Sequence, residues 1–248
     1  MSPSPRKPRP AGRPPASVLT PEKIASAALH LISREGNFTM SKLAQQLEVA
    51  PSSLYNHLSS RDQVLAAISD HIAQGIDTSA LTLAAQQLDL RASEPQQVRR
   101  AWIQATSHWA RSYRRAFSLT PAVVTTLAIT PVRQAPATLA MYENVTQAFL
   151  LFGLSHRQAL LTIEALEAFL LGAALDTQAP ADIFNPSPHQ QEHPAIWAAY
   201  QELGPTPQDE AFELGLGALL EGLACQLQEP KPSEAPKARG TTPSFTGT

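Results

Sequence analysis

The stretch TMSKLAQQLEVAPSSLYNHLSSR, residues 39–61, decides the fold because two short helical patterns follow one another in it almost without a loop. In each pattern, apolar residues recur at the spacing of one buried helix face. They are Leu43, Ala44 and Leu47 in the first helix and Leu54 and Leu58 in the second. Thr39 is expected to cap the first helix through its hydroxyl, and Pro51 suits the first turn of the second helix. With the short turn of residues 48–50 between them, the two patterns predict a helix-turn-helix, whose second helix enters a DNA major groove.

This segment resembles the DNA-binding domain of the tetracycline-repressor (TetR) family. The resemblance is carried by residues 42–45, Val49 and residues 54–58, and it continues into residues 27–32 and 61–65. It is close over about residues 20–77 and weaker over most of the rest of the chain. It implies an all-α protein with an N-terminal three-helix DNA-binding domain and a C-terminal helical domain for ligand binding and dimerisation.

The resemblance also implies which side chains contact DNA. It assigns phosphate contacts to Thr39, Lys42, Tyr55, His57 and Arg61. It assigns the base-facing surface to Ser41, Pro51, Ser52, Ser53 and Asn56. The chemistry agrees for most of them, since cations and hydroxyls bind phosphate and an asparagine amide can bond adenine bidentately. Tyr55 and His57 have a second interpretation, as partly structural residues.

The distribution of charge fits a DNA-binding head on a body that stays off DNA. Residues 1–63 contain eight Lys or Arg and four acids, whereas the whole chain has a net charge of −2. The front of the chain is therefore basic and the remainder acidic. The single cysteine, Cys225, excludes an intramolecular disulfide and a cysteine-based metal cluster. The sequence suggests no membrane span and no secretion leader, so a cytoplasmic protein that does not bind membranes is expected.

The chain is predicted to have four parts. Residues 1–19 form a basic, proline-rich disordered arm, interpreted either as a minor-groove arm or as a solvated leader. Residues 20–66 form the DNA-binding domain, residues 67–228 the effector-binding and dimerisation domain, and residues 229–248 a disordered tail. Thr20, Pro21 and Gly36 predict the two ends of the first helix. Residues 79–95 are not assigned a firm helix because their apolar residues lack a clear period.

An aromatic stripe over residues 102–117 has two interpretations, plain helical core or one wall of a ligand pocket. Under the second interpretation a medium-sized and largely apolar effector contacts Trp102, Trp109, Tyr113, Tyr142, Phe149 and Phe169. The helix beginning near Ser155 and the last helix are apolar on two sides, and they resemble the helices that pair across the two-fold axis of the family's dimers. The predicted dimer contact comprises Leu166, Leu170, Phe212, Leu216, Leu219, Leu220 and Leu223.

The predicted function is that of a TetR-type regulator, most simply a repressor that binds a palindromic operator as a homodimer and is released by a small molecule. The alternative is a DNA-binding dimer without a small-molecule effector, which is constitutive or controlled by a protein partner. An enzyme is not expected, because glycine-rich phosphate loops, zinc-binding HExxH pairs and Gly-x-Ser-x-Gly elbows do not occur. No cofactor or metal is expected. Asp77, Thr126 and Ala168 stand where tetracycline–magnesium binders of the family carry histidines, which argues against that effector.

Overall fold

The computed structural model describes residues 19–227, and this part of the chain contains eleven α-helices and no strand. The predicted all-α fold is therefore confirmed. The helices are α1 (Pro21–Glu35), α2 (Met40–Gln46), α3 (Pro51–His57), α4 (Arg61–Ala73), α5 (Ser79–Gln87), α6 (Pro95–Ser118), α7 (Pro121–Leu127), α8 (Pro136–Leu151), α9 (His156–Asp176), α10 (Pro194–Gln201) and α11 (Pro207–Leu223). Short 3₁₀ turns lie at Val132–Gln134 and Ala224–Gln226. The predicted N-terminal arm and C-terminal tail lie outside the described residues.

The ends of α1 are those that the sequence signals predict. The hydroxyl of Thr20 accepts a hydrogen bond from the backbone N–H of Lys23 at 3.3 Å, and Pro21 opens the helix. Gly36 closes it in the left-handed region at φ 76°, and its N–H donates to the carbonyl of Ile32 at 2.8 Å. Glycine is favoured there because other residues meet a steric penalty at positive φ.

The described chain divides into two compact units. The first contains residues 19–75 and 116–139, and the second contains residues 76–115 and 140–227. The first unit extends past the boundary at residue 66 that the sequence predicted, because α1 packs along α4 and also against α7. Its buried residues include Ile24, Ala28, Leu43, Leu54 and Ile68.

Thr138, at the start of α8, is bonded to α4 within the first unit. Its backbone N–H donates to Oδ1 of Asp70 at 2.8 Å, and its hydroxyl lies 3.0 Å from the same oxygen. The hydroxyl of Ser69 lies 2.9 Å from that of Thr138. Segment 116–139 therefore belongs structurally with the N-terminal helices, although it is distant from them in sequence.

In the second unit, α6 is joined to α11 by three arginine–acid pairs. Nη2 atoms of Arg99, Arg111 and Arg114 approach Glu221, Glu213 and Asp209 at 2.5, 2.7 and 2.7 Å. The order of the pairs shows that the two helices run antiparallel. Arg114 also lies over the ring of Phe212, with 4.4 Å from its guanidinium carbon to the ring centroid.

Residues 79–95 contain a helix that the sequence analysis did not assign. Helix α5 spans Ser79–Gln87 and buries only Leu81 and Ala85. Two inward-facing residues are too few to show a helical period, so the sequence pattern alone does not predict this helix. Asp77 supports the start of α5, because its Oδ1 accepts from the backbone N–H of Ser79 at 2.8 Å.

Helix α9 is long and apolar enough, by length and composition alone, to cross a membrane. The sequence analysis did not anticipate this. Its inner face, however, is part of a protein core, where Ala159, Ile163, Leu166, Leu170 and Ala174 are buried. A polar capping box starts the helix, in which the side chains of Ser155 and Gln158 each bond the other's backbone N–H.

Candidate functional site

Residues 39–61 form the predicted helix-turn-helix. The hydroxyl of Thr39 caps α2 by accepting from the N–H of Lys42 at 3.2 Å, and Pro51 is the first residue of α3. The turn between the helices is closed by the N–H of Val49, which donates to the carbonyl of Ala44 at 3.0 Å. Glu48 occupies the left-handed region at φ 54°, a conformation that non-glycine residues seldom adopt. Leu43 and Leu54 are buried beneath the two helices.

All ten residues predicted to contact DNA are exposed, and they lie on α2, on α3, at the cap of α2 and at the start of α4. The side chains of Ser52, Ser53 and Asn56 on α3 make no hydrogen bond with any other part of the described chain. Their donors and acceptors are therefore available to base edges. Tyr55 is 47% exposed, so about half of its surface is covered by the protein.

The two cations of this surface are held by neighbouring side chains. Nζ of Lys42 lies 2.5 Å from Oε2 of Glu35, and this partner holds the pKa of Glu35 below its ordinary value. Nη2 of Arg61 donates to Oδ1 of Asn37 at 2.8 Å, and its guanidinium lies 5.0 Å from the ring centroid of Phe38. Both contacts fix the cations at the edge of the helix-turn-helix, and an exposed ion pair such as Lys42–Glu35 is weak enough to be exchanged for a phosphate.

His57 lies at the rim of an open cleft in the first unit. The cleft has a volume of about 470 Å³ and is lined in part by Glu22, His57, Asp70 and His71. This position fits the interpretation of His57 as partly structural as well as its predicted phosphate contact.

In the second unit, five of the six predicted effector residues form what we call the aromatic ladder: Trp102, Trp109 and Tyr113 on α6 with Tyr142 and Phe149 on α8. Ring centroids are 5.6 Å apart for Trp102 and Phe149 and 5.7 Å apart for Trp109 and Tyr113. Trp102, Trp109 and Phe149 are completely buried. Because Trp102, Trp109 and Tyr113 recur at intervals of seven and four residues, they share one face of α6.

Glu167 of α9 joins the two tyrosines of the ladder. The hydroxyls of Tyr113 and Tyr142 both donate to its Oε1, the former at 2.6 Å. The pKa of Glu167 is raised above its ordinary value, because burial outweighs the two phenol donors, which lower it. Burial and the nearby carboxylate also raise the pKa values of both tyrosines, so they stay protonated and remain donors.

Four buried polar atoms of the second unit have no hydrogen-bond partner within residues 19–227. They are the indole nitrogens of Trp102 and Trp109 and the hydroxyls of Thr106 and Thr162. Thr106 lies between the two tryptophans on the same face of α6. Each unpaired buried group costs about 1–3 kcal/mol, so four of them in one unit, three on the same face of α6, call for an explanation.

Phe169 is placed apart from these residues. Its ring stacks on Phe212 of α11 with centroids 5.7 Å apart and an interplanar angle of 11°. Its edge also lies against Gly215, where a Cβ atom would come within 2.8 Å of the ring. Phe169 thus belongs to the packing of α9 on α11, and the other five predicted effector residues form a separate group.

Five of the residues predicted for the dimer contact are buried within the single protomer: Leu166, Leu170, Phe212, Leu216 and Leu220. Leu219 and Leu223 are only partly exposed. Periodicity identifies an apolar face without showing which of two such faces packs inside the protomer, and these five residues pack inside it. The outward apolar residues of the two helices are instead Leu160, Leu161 and Leu175 on α9 and Leu214 on α11, which are exposed by 65, 48, 38 and 77%.

Glu167, Thr106 and Thr162 were not singled out by the sequence analysis. The signal for Glu167 is an acid within a helix that is otherwise apolar on most sides. The two threonines carry no comparable signal, since only the fold shows that they are buried. Within the described residues, no group of three or more His, Cys, Asp or Glu side chains could hold a metal ion.

The helix-turn-helix presents a short helix with unpaired polar side chains, and two positioned cations lie beside it. This arrangement is typical of DNA-binding transcriptional regulators. The C-terminal part, residues 94–227, matches the family model described as "Tetracyclin repressor-like, C-terminal domain". The chain therefore belongs to the tetracycline-repressor (TetR) family, whose members are transcriptional regulators and not enzymes.

The matches to three relatives each span nearly the whole length of the relative. The tetracycline repressor protein class E of Escherichia coli is 26% identical over 216 residues, which are 86% of this chain and 94% of that protein. Apo ActR from Streptomyces coelicolor is 24% identical, with a TM-score of 0.64 over 84% of this chain and 96% of ActR. ActR in complex with actinorhodin matches with a TM-score of 0.62 over 86% and 100% of the two chains. BioQ with its double-stranded DNA operator is 20% identical, with a TM-score of 0.53 over 84% of this chain and 99% of BioQ.

Proposed function

We propose that this regulator is a repressor that binds a palindromic operator as a homodimer and releases it when a small molecule binds the second unit. The observation that carries the proposal is the surface of α3, where Ser52, Ser53 and Asn56 are exposed and free of internal hydrogen bonds. A base-reading surface needs such groups, because only unpaired donors and acceptors can bond base edges.

The outward leucines of α9 and α11 support the proposed dimer. Leu160, Leu161, Leu175 and Leu214 are large apolar side chains that water surrounds in the single protomer. Pairing α9 and α11 with their copies about a two-fold axis would bury all of them in an isologous four-helix contact. Such a dimer presents two α3 helices about 34 Å apart or at a multiple of that distance, which selects a palindromic site.

Response to a small molecule is supported by the aromatic ladder and by relatives that bind ligands. ActR is known in complex with actinorhodin, and a TetR variant of Acinetobacter baumannii in complex with minocycline. Helices α6 and α8 carry the ladder in the second unit, and each also contributes residues to the first unit. A ligand that favours one arrangement of these helices thereby shifts the population of DNA-binding conformations.

The test is to select operator DNA from a random duplex pool with the purified full-length protein and to measure its affinity by fluorescence anisotropy. We expect a palindromic consensus bound at least a thousandfold more tightly than unrelated DNA, within the range of specific binders. A consensus with one half-site would contradict the dimeric reading. Binding without any enriched sequence would contradict the operator itself, and specific binding that no small molecule weakens would favour a dimer without an effector.

A further inference from the structure

The aromatic ladder ends in a carboxylate that has unused bonding capacity. Tyr113 and Tyr142 both donate to Oε1 of Glu167, so Oε2 takes no part in those two bonds. The first bond joins α6 to α9 and the second joins α8 to α9, which fixes the carboxylate at one end of the ladder. The opposite end is the Trp102–Phe149 contact. Eleven residues separate Trp102 from Tyr113, so the ladder is about 16 Å long.

The face of α6 that bears the ladder also supplies donors without acceptors. The indole nitrogens of Trp102 and Trp109 and the hydroxyl of Thr106 are fully buried, and none has a partner within the described chain. An indole N–H can only donate, and the described chain brings no acceptor to either indole. A bound compound with an acceptor group could supply the missing partner. The site therefore offers unpaired donors along its length and an acceptor at one end.

We propose that the effector is an aromatic compound that donates a hydrogen bond to Glu167 and accepts hydrogen bonds from the unpaired donors of α6. This inference rests on the proposed effector response. The rings of the ladder match a flat conjugated compound, because aromatic pairs favour offset or edge contacts. The group that donates to Glu167 is a protonated amine or a hydroxyl, and carbonyl oxygens of the same compound accept from Trp102, Thr106 or Trp109.

A protonated amine gains more from this site than a neutral donor does. Its charge pairs with the carboxylate in a partly buried setting. A hydroxyl forms only a hydrogen bond there. Two substitutions distinguish the amine from the hydroxyl. Glu167→Gln keeps an acceptor oxygen but removes the charge, and Glu167→Leu removes both.

The experiment uses three probes with one ring system: anthraquinone, its hydroxymethyl derivative and its aminomethyl derivative, both substituted at the same ring carbon. All three carry the same carbonyl acceptors, and only the last two carry a donor. Binding to the full-length protein is measured by calorimetry without DNA, and quenching of tryptophan fluorescence reports contact with the ladder. We expect a donor-bearing probe to bind at least tenfold more tightly than anthraquinone.

The variants then assign the contact. Glu167→Leu should remove the advantage of the donor-bearing probe, and Glu167→Gln should remove it for the amine while keeping part of it for the hydroxyl. Glu202→Gln, at an exposed acid of the second unit outside the ladder, serves as the matched control and should leave all affinities unchanged. Thr106→Val, which is nearly isosteric, should weaken carbonyl-bearing probes without lowering the melting temperature of the ligand-free protein, since its hydroxyl has no partner to lose.

Equal affinity for the three probes, unchanged affinities in both Glu167 variants, or no binding of any probe would overturn the inference. Release of operator DNA is measured separately with the same probes and with a broader set of compounds. Release by compounds that ignore Glu167 would leave the proposed function standing while this inference fails. If a probe binds through Glu167 but no compound releases the operator, the inference holds and the effector response fails.

Discussion

At the residue scale, Lys42 is paired with the carboxylate of Glu35 in the free protein, and we expect it to exchange this partner for a phosphate when DNA binds. The pair is 2.5 Å apart, with side chains 56 and 35% exposed, so water screens it and it contributes little to stability. A phosphate can therefore displace Glu35 at low cost. The same carboxylate would then face the negative backbone of DNA, and the balance between the two partners sets part of the non-specific affinity.

We expect Lys42→Ala to weaken binding to operator and to unrelated DNA alike and to reduce the slope of log K against log salt by about 0.9, the value for one phosphate contact. Glu35→Gln should strengthen both, because it removes the competing charge. The measurement is a titration of each variant at several salt concentrations. An unchanged slope in Lys42→Ala would show that this side chain does not contact phosphate.

For Asn56 we expect sequence discrimination instead. Asn56→Ala should lose about 1–3 kcal/mol of operator affinity and keep its affinity for unrelated DNA, if the amide bonds a base edge. Asn144→Ala on α8 is the matched control, because Asn144 is an equally exposed asparagine of the second unit. Competition titrations with both DNAs provide the measurement. Equal losses on the two DNAs would assign Asn56 to the phosphates.

At the element scale, the turn of the helix-turn-helix contains backbone strain at Glu48. A side chain at φ 54° costs about 1–2 kcal/mol relative to glycine, part of which glycine gives back through the greater freedom of its unfolded chain. Glu48→Gly should therefore raise the free energy of unfolding by about 0.5–1 kcal/mol. Gln45→Gly, in the neighbouring helix α2, should lower it by about 1 kcal/mol. Urea denaturation measures both, and a destabilised Glu48→Gly would show that the Glu48 side chain makes a compensating contact.

Asp77 fixes the start of α5, and its contribution depends on pH. Hydrogen bonds from Ser79 and His108 lower its pKa from 3.8 to about 2. Because the pKa of Asp77 is lower in the folded state than the unfolded value near 3.8, its ionised side chain stabilises the protein at pH values above 3.8. This stabilisation is lost as the pH falls towards 2. Because the side chain is 43% exposed, water screens these interactions, and the expected stabilisation is about 1 kcal/mol. Asp77→Asn should be less stable than the native protein at pH 6 and equal to it near pH 2; a difference that is constant over this range would exclude the charge as its cause.

Sequence reasoning succeeds for elements whose signals are local. Thr20, Gly36 and Thr39 identify helix ends because capping depends on residues within one turn. It fails where the answer depends on distant contacts. The polar bonds of Glu167 come from two other helices, and the inward face of α9 is chosen by its packing on α11. Both are decided by tertiary structure, which the period of apolar residues does not encode.

At the scale of the whole molecule, the proposed dimer pairs the outward faces of α9 and α11 with their copies. Leu214→Glu should convert the protein to monomers, because a dimer would have to bury the new charges in an apolar contact. Leu119→Glu is the matched control, since Leu119 is 80% exposed and Leu214 is 77% exposed, and it should leave the dimer intact. Sedimentation velocity distinguishes the two species. A surviving Leu214→Glu dimer would place the contact on another face.

Specific DNA binding is tested most directly by a mobility shift of the DNA flanking the protein's own gene, with the purified protein at two salt concentrations. We predict a discrete complex that withstands excess unlabelled competitor at both concentrations, because base contacts add to the salt-dependent phosphate contacts. A smear that disappears at the higher salt, or no complex at all, would contradict the assignment of a specific operator to that DNA.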